Sequence, residues 1–515
     1  MRPWLGHRPP LYLSLLLCLM PLKPVPAAAG QVRRYYLAAD LVEWDYAPSG
    51  HDELMKPMQG DKPMAMHDPP PPADECGFAQ KAPTPMHMHD EHLWLDATRT
   101  RIGTRYTKAL YRAYTNDSFS QLAPIPPEWA HLGALGPVLR AQVGDTLTVV
   151  FRNNLAFPAS IHPHGVRYDK RNEGAPYNDG QIDLGDVVDP GATYTYNWQL
   201  RSRQKLARAP WTLAALRGRE YFMLAWDNDA MRARASDAPS HDSRNARYHS
   251  HVNEPMDTAA GLIGAIIVTA VGRARADASP TDVDQELLLS FFNYDESMSP
   301  MHMINIQVGT TSAHYMHHLN TSGNLSTDCL ARILSDNDYA LSNKMYGING
   351  LVYGNLHLPT LRVGQRTRWY LIAFGNMDDI HTPHWHGNTV LHEGHRKDVL
   401  QLLPAATTVA DMSPYNIGLS SPAKTPESIG EWMFQCHVHH HIHGGMYTKY
   451  AVAAAASPTH TPVGHGNSRP RPSVQHFVAL MCTRNSTMLS GFALGERHRS
   501  RMSVATATYS RVNQA

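Results

Sequence analysis

The placement of histidine constrains this chain more than any other feature. Among 31 histidines, four tight groups stand out. They are His162-Pro163-His164-Gly165, Tyr248-His249-Ser250-His251, His381-Thr382-Pro383-His384-Trp385-His386, and the segment from Gln435 to Met446 that carries Cys436, His437, His439, His440, His441 and His443. Residues i and i+2 of a β-strand share a face, while i+1 and i+3 point the other way. His162 with His164, His249 with His251, and His384 with His386 therefore each present two imidazoles to one side. His381, three before His384, faces oppositely, as does Cys436 relative to Gln435 and His437. The fold must deliver these groups on strands whose two faces do different work.

The donor types say what that work is. Cys436 is followed by His441 five residues on and Met446 ten residues on. Thiolate, imidazole and a weak axial thioether make an electron-transfer copper site, and His381 supplies the second imidazole. Parity then assigns the residues behind the strand to another metal site, so Cys436 bonds one copper while its neighbour His437 bonds another. A single His-x-His pair is often only a surface or core pair. Four groups of consistent parity, one with Cys and Met at copper spacing, point to metal.

The rest of the chain suits such a scaffold. Short runs rich in Val, Ile, Tyr and Thr recur between Gly, Pro and Asp turns: Thr146–Phe151, Thr193–Trp198, Leu262–Val268, Glu286–Phe292 and Thr367–Ala373. Long segments of helical period are scarce, so an all-β sandwich or barrel architecture is expected. Residues 30–272 form one expected domain, with a Met/His-rich insertion at 55–92. Residues 273–285 read as a linker, and 286–455 as a second domain. Arg201–Arg219 is a basic insertion, and the tail 456–515 lacks buried-strand pattern and is expected to be disordered.

Residues 1–29 have the charged start, apolar run and small-residue end of a secretory signal. No later stretch approaches the roughly 20 apolar residues of a membrane helix. A secreted glycoprotein is therefore expected, with acceptor sequons at Asn116, Asn320, Asn324 and Asn485. A net charge of +1 gives no reason to invoke nucleic acid or an anionic membrane. Of the five cysteines, Cys18 leaves with the signal and Cys436 belongs to copper. Cys76, Cys329 and Cys482 allow one bridge at most, and the sequence does not choose among them.

With the four groups in place, the chain resembles the multicopper oxidases, in particular the ceruloplasmin, hephaestin and coagulation factor V/VIII A-domain group. Further matching phrases are Leu135-Gly136-Pro137, the run His164 to Lys170 with Glu173-Gly174, Gly261-Leu262-Ile263-Gly264, Ser342 to Met345 with Ile348-Asn349-Gly350, and Arg368-Trp369-Tyr370-Leu371. The resemblance implies two cupredoxin-like Greek-key domains. It implies type 1 copper at His381, Cys436, His441 and Met446. It implies type 2 copper at His162 and His384, and type 3 copper at His164, His249, His251, His386 and His437. The implied reaction oxidises a metal ion, Cu(I) or Fe(II), or a small aromatic at type 1 copper, and reduces dioxygen at an interdomain trinuclear cluster. In six-domain relatives that cluster lies between the last and first domains, so a two-domain chain is expected to rebuild it as a homotrimer.

Three departures qualify the resemblance. The family has His where this chain has Gln435, and an amide oxygen is a poorer copper ligand than imidazole. A copper-binding protein with impaired or lost oxidase activity is the alternative this raises. His439 shares strand parity with His437 but lies a full two-residue step away, so compensation from it is not expected. The positions matching the iron-holding residues of ferroxidases are Leu341, Tyr346 and His440, which offer no carboxylate. Finally, Ile417–Ile429 is an insertion where relatives turn tightly. The thioethers and imidazoles of Met55–His92, Met298–Met303 and Met316–His318 would suit capture of Cu(I) and Cu(II).

Overall fold

The computed structural model describes residues 30–55, 74, 76–78, 91–98, 100–180, 185–200, 243–311, 326–375, 379–413 and 429–455. The expected signal, nearly all of the 55–92 insertion, Arg201–Arg219, Met316–His318, nearly all of Ile417–Ile429 and the tail lie outside them. So do three of the four sequons, while Asn116 is exposed on a turn. Residues Met1–Ser457 make one compact unit. No helix among the described residues is long and apolar enough to cross a membrane.

Eight strands precede residue 270: β1 (Val32–Asp45), β2 (Arg105–Tyr114), β3 (Leu139–Gln142), β4 (Thr146–Asn153), β5 (His162–Pro163), β6 (Thr193–Gln199), β7 (Ser243–His249) and β8 (Ile263–Thr269). Ten follow: β9 (Gln285–Asp295), β10 (Lys344–Ile348), β11 (Leu361–Arg362), β12 (Thr367–Ala373), β13 (Pro383–Trp385), β14 (Val390–His392), β15 (His395–Lys397), β16 (Thr407–Met412), β17 (Gly430–Cys436) and β18 (Tyr447–Ala453). The five runs expected from composition fall on β4, β6, β8, β9 and β12. Each begins within one residue of the expected position. Thr367–Ala373 is buried at every position, because β12 lies inside its sheet between β9 and β16.

Each sheet draws its strands from one side of residues 273–284, and the two sides repeat one another. Orders β2-β1-β4-β6 and β3-β8-β7-β5 on the first side match β10-β9-β12-β16 and β11-β18-β17-β13 on the second. The directions match as well. β1 runs parallel to β4 and β9 to β12. β3 runs parallel to β8 and β11 to β18. Under this repeat β5 corresponds to β13 and β7 to β17, the four strands that carry the histidine groups.

The two sides are welded rather than merely linked. One apolar cluster includes Trp94, Trp129 and Leu132 together with Leu288, Trp369 and Phe434. Across the junction the Leu288 N–H donates to His131 Nε2 at 3.1 Å, and the Asn245 amide donates to the Leu371 carbonyl at 3.0 Å. The Arg140 guanidinium meets Glu286 through two contacts of 2.7 and 3.2 Å. Deeper still, the wholly buried Lys108 ammonium pairs with the wholly buried Glu296, whose carboxylate also accepts from Tyr46 Oη at 2.5 Å. Residues 273–284 are tied to both sides: the Ala278 carbonyl accepts from Thr269 Oγ1 at 2.7 Å, and the Asp282 carboxylate accepts from the Arg368 guanidinium at 2.7 Å. Cys76 is bonded to Cys329 across 253 residues, which resolves the pairing that the sequence left open.

Candidate metal centre

Two strands and a short helix converge on Cys436. The β13–β17 register sets Pro383 opposite Cys436 and His384 opposite Gln435. The chain then turns through a helix, His439–His443, before β18 begins. Its return is fixed by two backbone bonds. The Cys436 N–H donates to the Met446 carbonyl at 3.0 Å, and the Met446 N–H to the His441 carbonyl at 2.9 Å. Gly445 makes the turn possible: its φ is +86°, and a Cβ there would stand 2.7 Å from the Tyr353 ring.

This closure sets Cys436 Sγ 3.3 Å from His441 Nδ1 and 3.8 Å from His381 Nδ1. All three ligand atoms lie within 4.8 Å of one another, and Cys436, His381, His441 and Met446 are each 0% exposed. Donors about 2.0–2.3 Å from one tetrahedral ion are separated by roughly 3.3–3.7 Å. The donor set and its spacing fit a soft metal. The Thr382 N–H donates to the sulfur at 3.4 Å. Behind His381, the buried Asp379 carboxylate stands 3.1 Å from Nε2 and accepts from the Asn293 N–H at 3.0 Å. Burial works against the charged imidazole, but Asp379 and Cys436 outweigh it and push His381 up to about 9.

The other histidine groups gather in two sets, one on β5 and β7 and one on β13 and β17. His162 lies opposite His249 in the β5–β7 ladder. Its ring centroid is 5.0 Å from His164, 5.6 Å from His249 and 5.0 Å from His251. His164 stacks on His249 at 5.1 Å, and their Nε2 atoms are 2.9 Å apart. Burial first, then the neighbouring Arg247 and imidazoles, lowers His164, which keeps it neutral and able to bind metal. The second set is His384 with His386 at 4.7 Å and with His437 at 5.6 Å.

Carbonyls orient these rings. His162 Nδ1 sits 2.6 Å from the Glu173 carbonyl, His249 Nδ1 2.9 Å from that of Ser250, and His384 Nδ1 2.9 Å from that of Asp398. Each Nδ1–H donates there, leaving Nε2 for a ligand. His386 Nε2 is buried with no hydrogen-bond partner. An orphaned ring nitrogen among imidazoles fits a metal ion. Among the described residues no ring contact or hydrogen bond joins the first-side set to the second-side set.

The repeat of the fold gives these residues an internal alignment. His162, His164, His249 and His251 correspond in order to His384, His386, Gln435 and His437. Gln435 is thus the one position of eight that is not imidazole, and it is 7% exposed beside His384. Ala159 and Ser250 take the places of His381 and Cys436, so the first side has no counterpart of the thiolate site.

Several sequence expectations need comment. The strands end sooner than parity assumed: β7 stops at His249, β13 at Trp385 and β17 at Cys436. His164, His386 and His437 lie one residue past their strands and His251 two, yet their rings still meet the histidines that parity paired them with. His439 does not share strand parity with His437. It opens the helix and its ring packs on His443 at 4.6 Å, away from His384. Tyr346 is buried, 5.2 Å from the His441 ring and 5.8 Å from that of His440. Leu341 packs on the core. In the Met298–Met303 segment Met301 is buried, whereas Met298 and Met303 are exposed. Sequence reasoning missed Asp379, although its i−2 offset from His381 was a usable parity signal. It also missed Glu254, whose carboxylate oxygens stand 3.4 Å from His251 Nε2 and 3.7 Å from His249 Nε2.

Comparison with known proteins agrees with this chemistry. Residues 132–206 and 324–456 match two family descriptions of multicopper oxidase. The chain is 32% identical over 451 residues to mouse "Ferroxidase HEPHL1", covering 87% of this chain and 31% of that protein. It is 30% identical to human hephaestin, covering 83% and 30%. Against rat ceruloplasmin the identity is 31%, covering 82% and 32%. The chain thus spans about a third of the length of the curated relatives it matches.

Proposed function

This chain belongs to the multicopper oxidase family, on its ceruloplasmin-like branch, and from that premise we propose that it is a secreted copper-dependent oxidase with dioxygen as electron acceptor. The observation that carries the reading is the back-to-back arrangement at Cys436. Its thiol faces His381 and His441, and the next residue, His437, faces His384. Copper, when bound, supplies one-electron oxidation of substrate at the thiolate site and four-electron reduction of dioxygen at the imidazole sites. The chain's own part is to hold and orient the donors. His381, Cys436, His441 and Met446 would hold type 1 copper, in a buried pocket that excludes water from the sulfur. His162 and His384 would hold type 2 copper, and His164, His249, His251, His386 and His437 the type 3 pair.

Among the described residues no ring contact or hydrogen bond joins the first-side imidazole set to the second-side set. Separate half-sites support assembly as a homotrimer, in which one copy's first side meets another's second side. A monomer that carries the full copper complement, by light scattering and metal analysis, would refute this. The reducing substrate is a metal ion or a small aromatic. Leu341, Tyr346 and His440 give Fe(II) no carboxylate, so Cu(I) or an aromatic suits this site better.

Gln435 supports a second reading, a copper-binding protein that keeps type 1 copper and has little oxidase activity. Copper per chain and oxygen consumption with an aromatic diamine, measured for the native chain and Gln435→His, separate the two. The oxidase reading expects a blue protein approaching four coppers, with turnover at least in Gln435→His. One copper and no turnover in both forms favours the binding protein. Cys436→Ser removes the blue colour under either reading.

A further inference from the structure

We propose that Glu254 supplies an oxygen donor to the type 3 copper that lacks an imidazole because position 435 is glutamine. The proposal rests on the oxidase reading above and goes beyond it, since no matching phrase or repeat position assigns a ligand there.

The first-side imidazoles do not form one equivalent set. His164 and His249 bring their Nε2 atoms to 2.9 Å with stacked rings, the separation of two donors on one ion at about 90°. His251 is not stacked on this pair: its ring is tilted by 33° to that of His249 at 5.5 Å and lies 5.0 Å from that of His162. It is the first-side donor left for the other member of the pair. Its Nε2 has the Glu254 carboxylate at 3.4 Å, while the second carboxylate oxygen lies 3.7 Å from His249 Nε2. Two donors about 2.0–2.2 Å from a tetrahedral ion are roughly 3.3–3.6 Å apart, so His251 and Glu254 match the spacing of ligands to one copper. The other carboxylate oxygen is the one near His249 Nε2.

The surroundings leave Glu254 free for this task and its neighbour not. Asp257, one helical turn on, accepts from Ser250 Oγ at 2.6 Å and from the Asn253 N–H at 3.0 Å, and so is committed to the fold. Glu254 is three residues after His251 at the start of the helix Glu254–Ala260, and its side chain is 47% exposed. Chemically, a carboxylate oxygen with imidazoles is an accepted tetragonal N,O set for Cu(II), and its charge offsets that of the ion, which the amide of Gln435 cannot do. Glu254 also lies on the same side of the chain as His251, so its contribution does not depend on which copy supplies His386.

The test is a double-mutant cycle on the full chain loaded with copper alone. Bound copper per chain is measured by metal analysis, and retention by competition with a chelator, for the native chain, Glu254→Gln, Gln435→His and the double variant. The blue type 1 absorption serves as the folding control and should be unchanged in all four. The proposal expects Glu254→Gln to lose one copper per chain, or to weaken its retention at least about 10-fold. In the Gln435→His background the same substitution should change retention less than about 3-fold. No loss in the native background, or equal loss in both, means that Glu254 only pairs electrostatically with imidazolium and overturns the proposal, leaving the oxidase reading intact. Only type 1 copper in all four forms overturns both.

Discussion

Acidification should loosen the junction between the two sides through His131. This residue is 2% exposed against Trp129. Its Nε2 accepts the Leu288 N–H at 3.1 Å, and its carbonyl accepts from the Asn349 amide at 2.7 Å. Nε2 must therefore be unprotonated in the folded chain. Burial, opposed by a backbone contact at Glu128, holds the imidazole down at about 4 against an ordinary value of 6.5. Because the folded value is depressed, the unfolded chain binds the proton more readily. The stabilising contribution is complete above about pH 7.5 and is lost as pH falls through 6.5 toward 4. The loss is about 2 kcal/mol at pH 5 and about 3 kcal/mol at pH 4. Many carboxylates titrate in the same range, so the measurement must be a difference. Guanidinium unfolding of the metal-free chain, followed by tryptophan fluorescence at pH 7.5 and pH 5, is compared with that of His131→Gln, which keeps an acceptor and does not titrate. The native chain should lose about 2 kcal/mol more than the variant between the two pH values. Equal losses, within about 0.5 kcal/mol, would show that His131 is not the group held neutral at the junction.

Two further perturbations test how the sides are joined. Lys108→Met should destabilise the chain by about 3–5 kcal/mol, because it strands the Glu296 carboxylate in a site where both partners are 0% exposed. Adding Glu296→Leu should recover most of that, and thermal unfolding in which the double variant is no better than the single would contradict it. Cys76→Ser removes a cross-link spanning 253 residues, worth up to about 5 kcal/mol in the chain-entropy account. The variant should unfold at lower denaturant than the oxidised native chain and match the reduced one, whereas coincidence of all three would mean that the bridge adds nothing.

Much of the fold was legible because β-period and turn punctuation are local signals. Thr193–Trp198 and Thr367–Ala373 could be read from their own residues. The candidate donors were legible for the same reason: an i, i+2 offset states its own geometry. What escaped the sequence was set by contacts far apart in the chain. Lys108 finds Glu296 across 188 residues, and nothing in either neighbourhood announces a buried charge. Cys76, Cys329 and Cys482 were equivalent until the fold brought two of them together. His439 was misread because parity was extended past the end of β17 into a helical turn. There the period changes from 2 to 3.6, and a two-residue step no longer keeps a face.

The repeat of the fold changes the weight of Gln435. The family resemblance marks Gln435 only as a departure from an expected histidine. Seen against the chain's own first side, it is the counterpart of His249, and both occupy the ladder position facing a histidine on the short partner strand, His162 in one case and His384 in the other. The first side fills all four positions with imidazole and adds the Glu254 carboxylate beside them. The second side fills three, and its other, buried face carries Cys436, whose thiolate has no counterpart on the first side. Under the proposal, the Glu254 carboxylate on the first side stands in for the imidazole missing at position 435 on the second. That replacement is the physical reason to measure Gln435 and Glu254 together. A coupling energy near zero between them would show that the two changes are independent, and that the cluster is one ligand short.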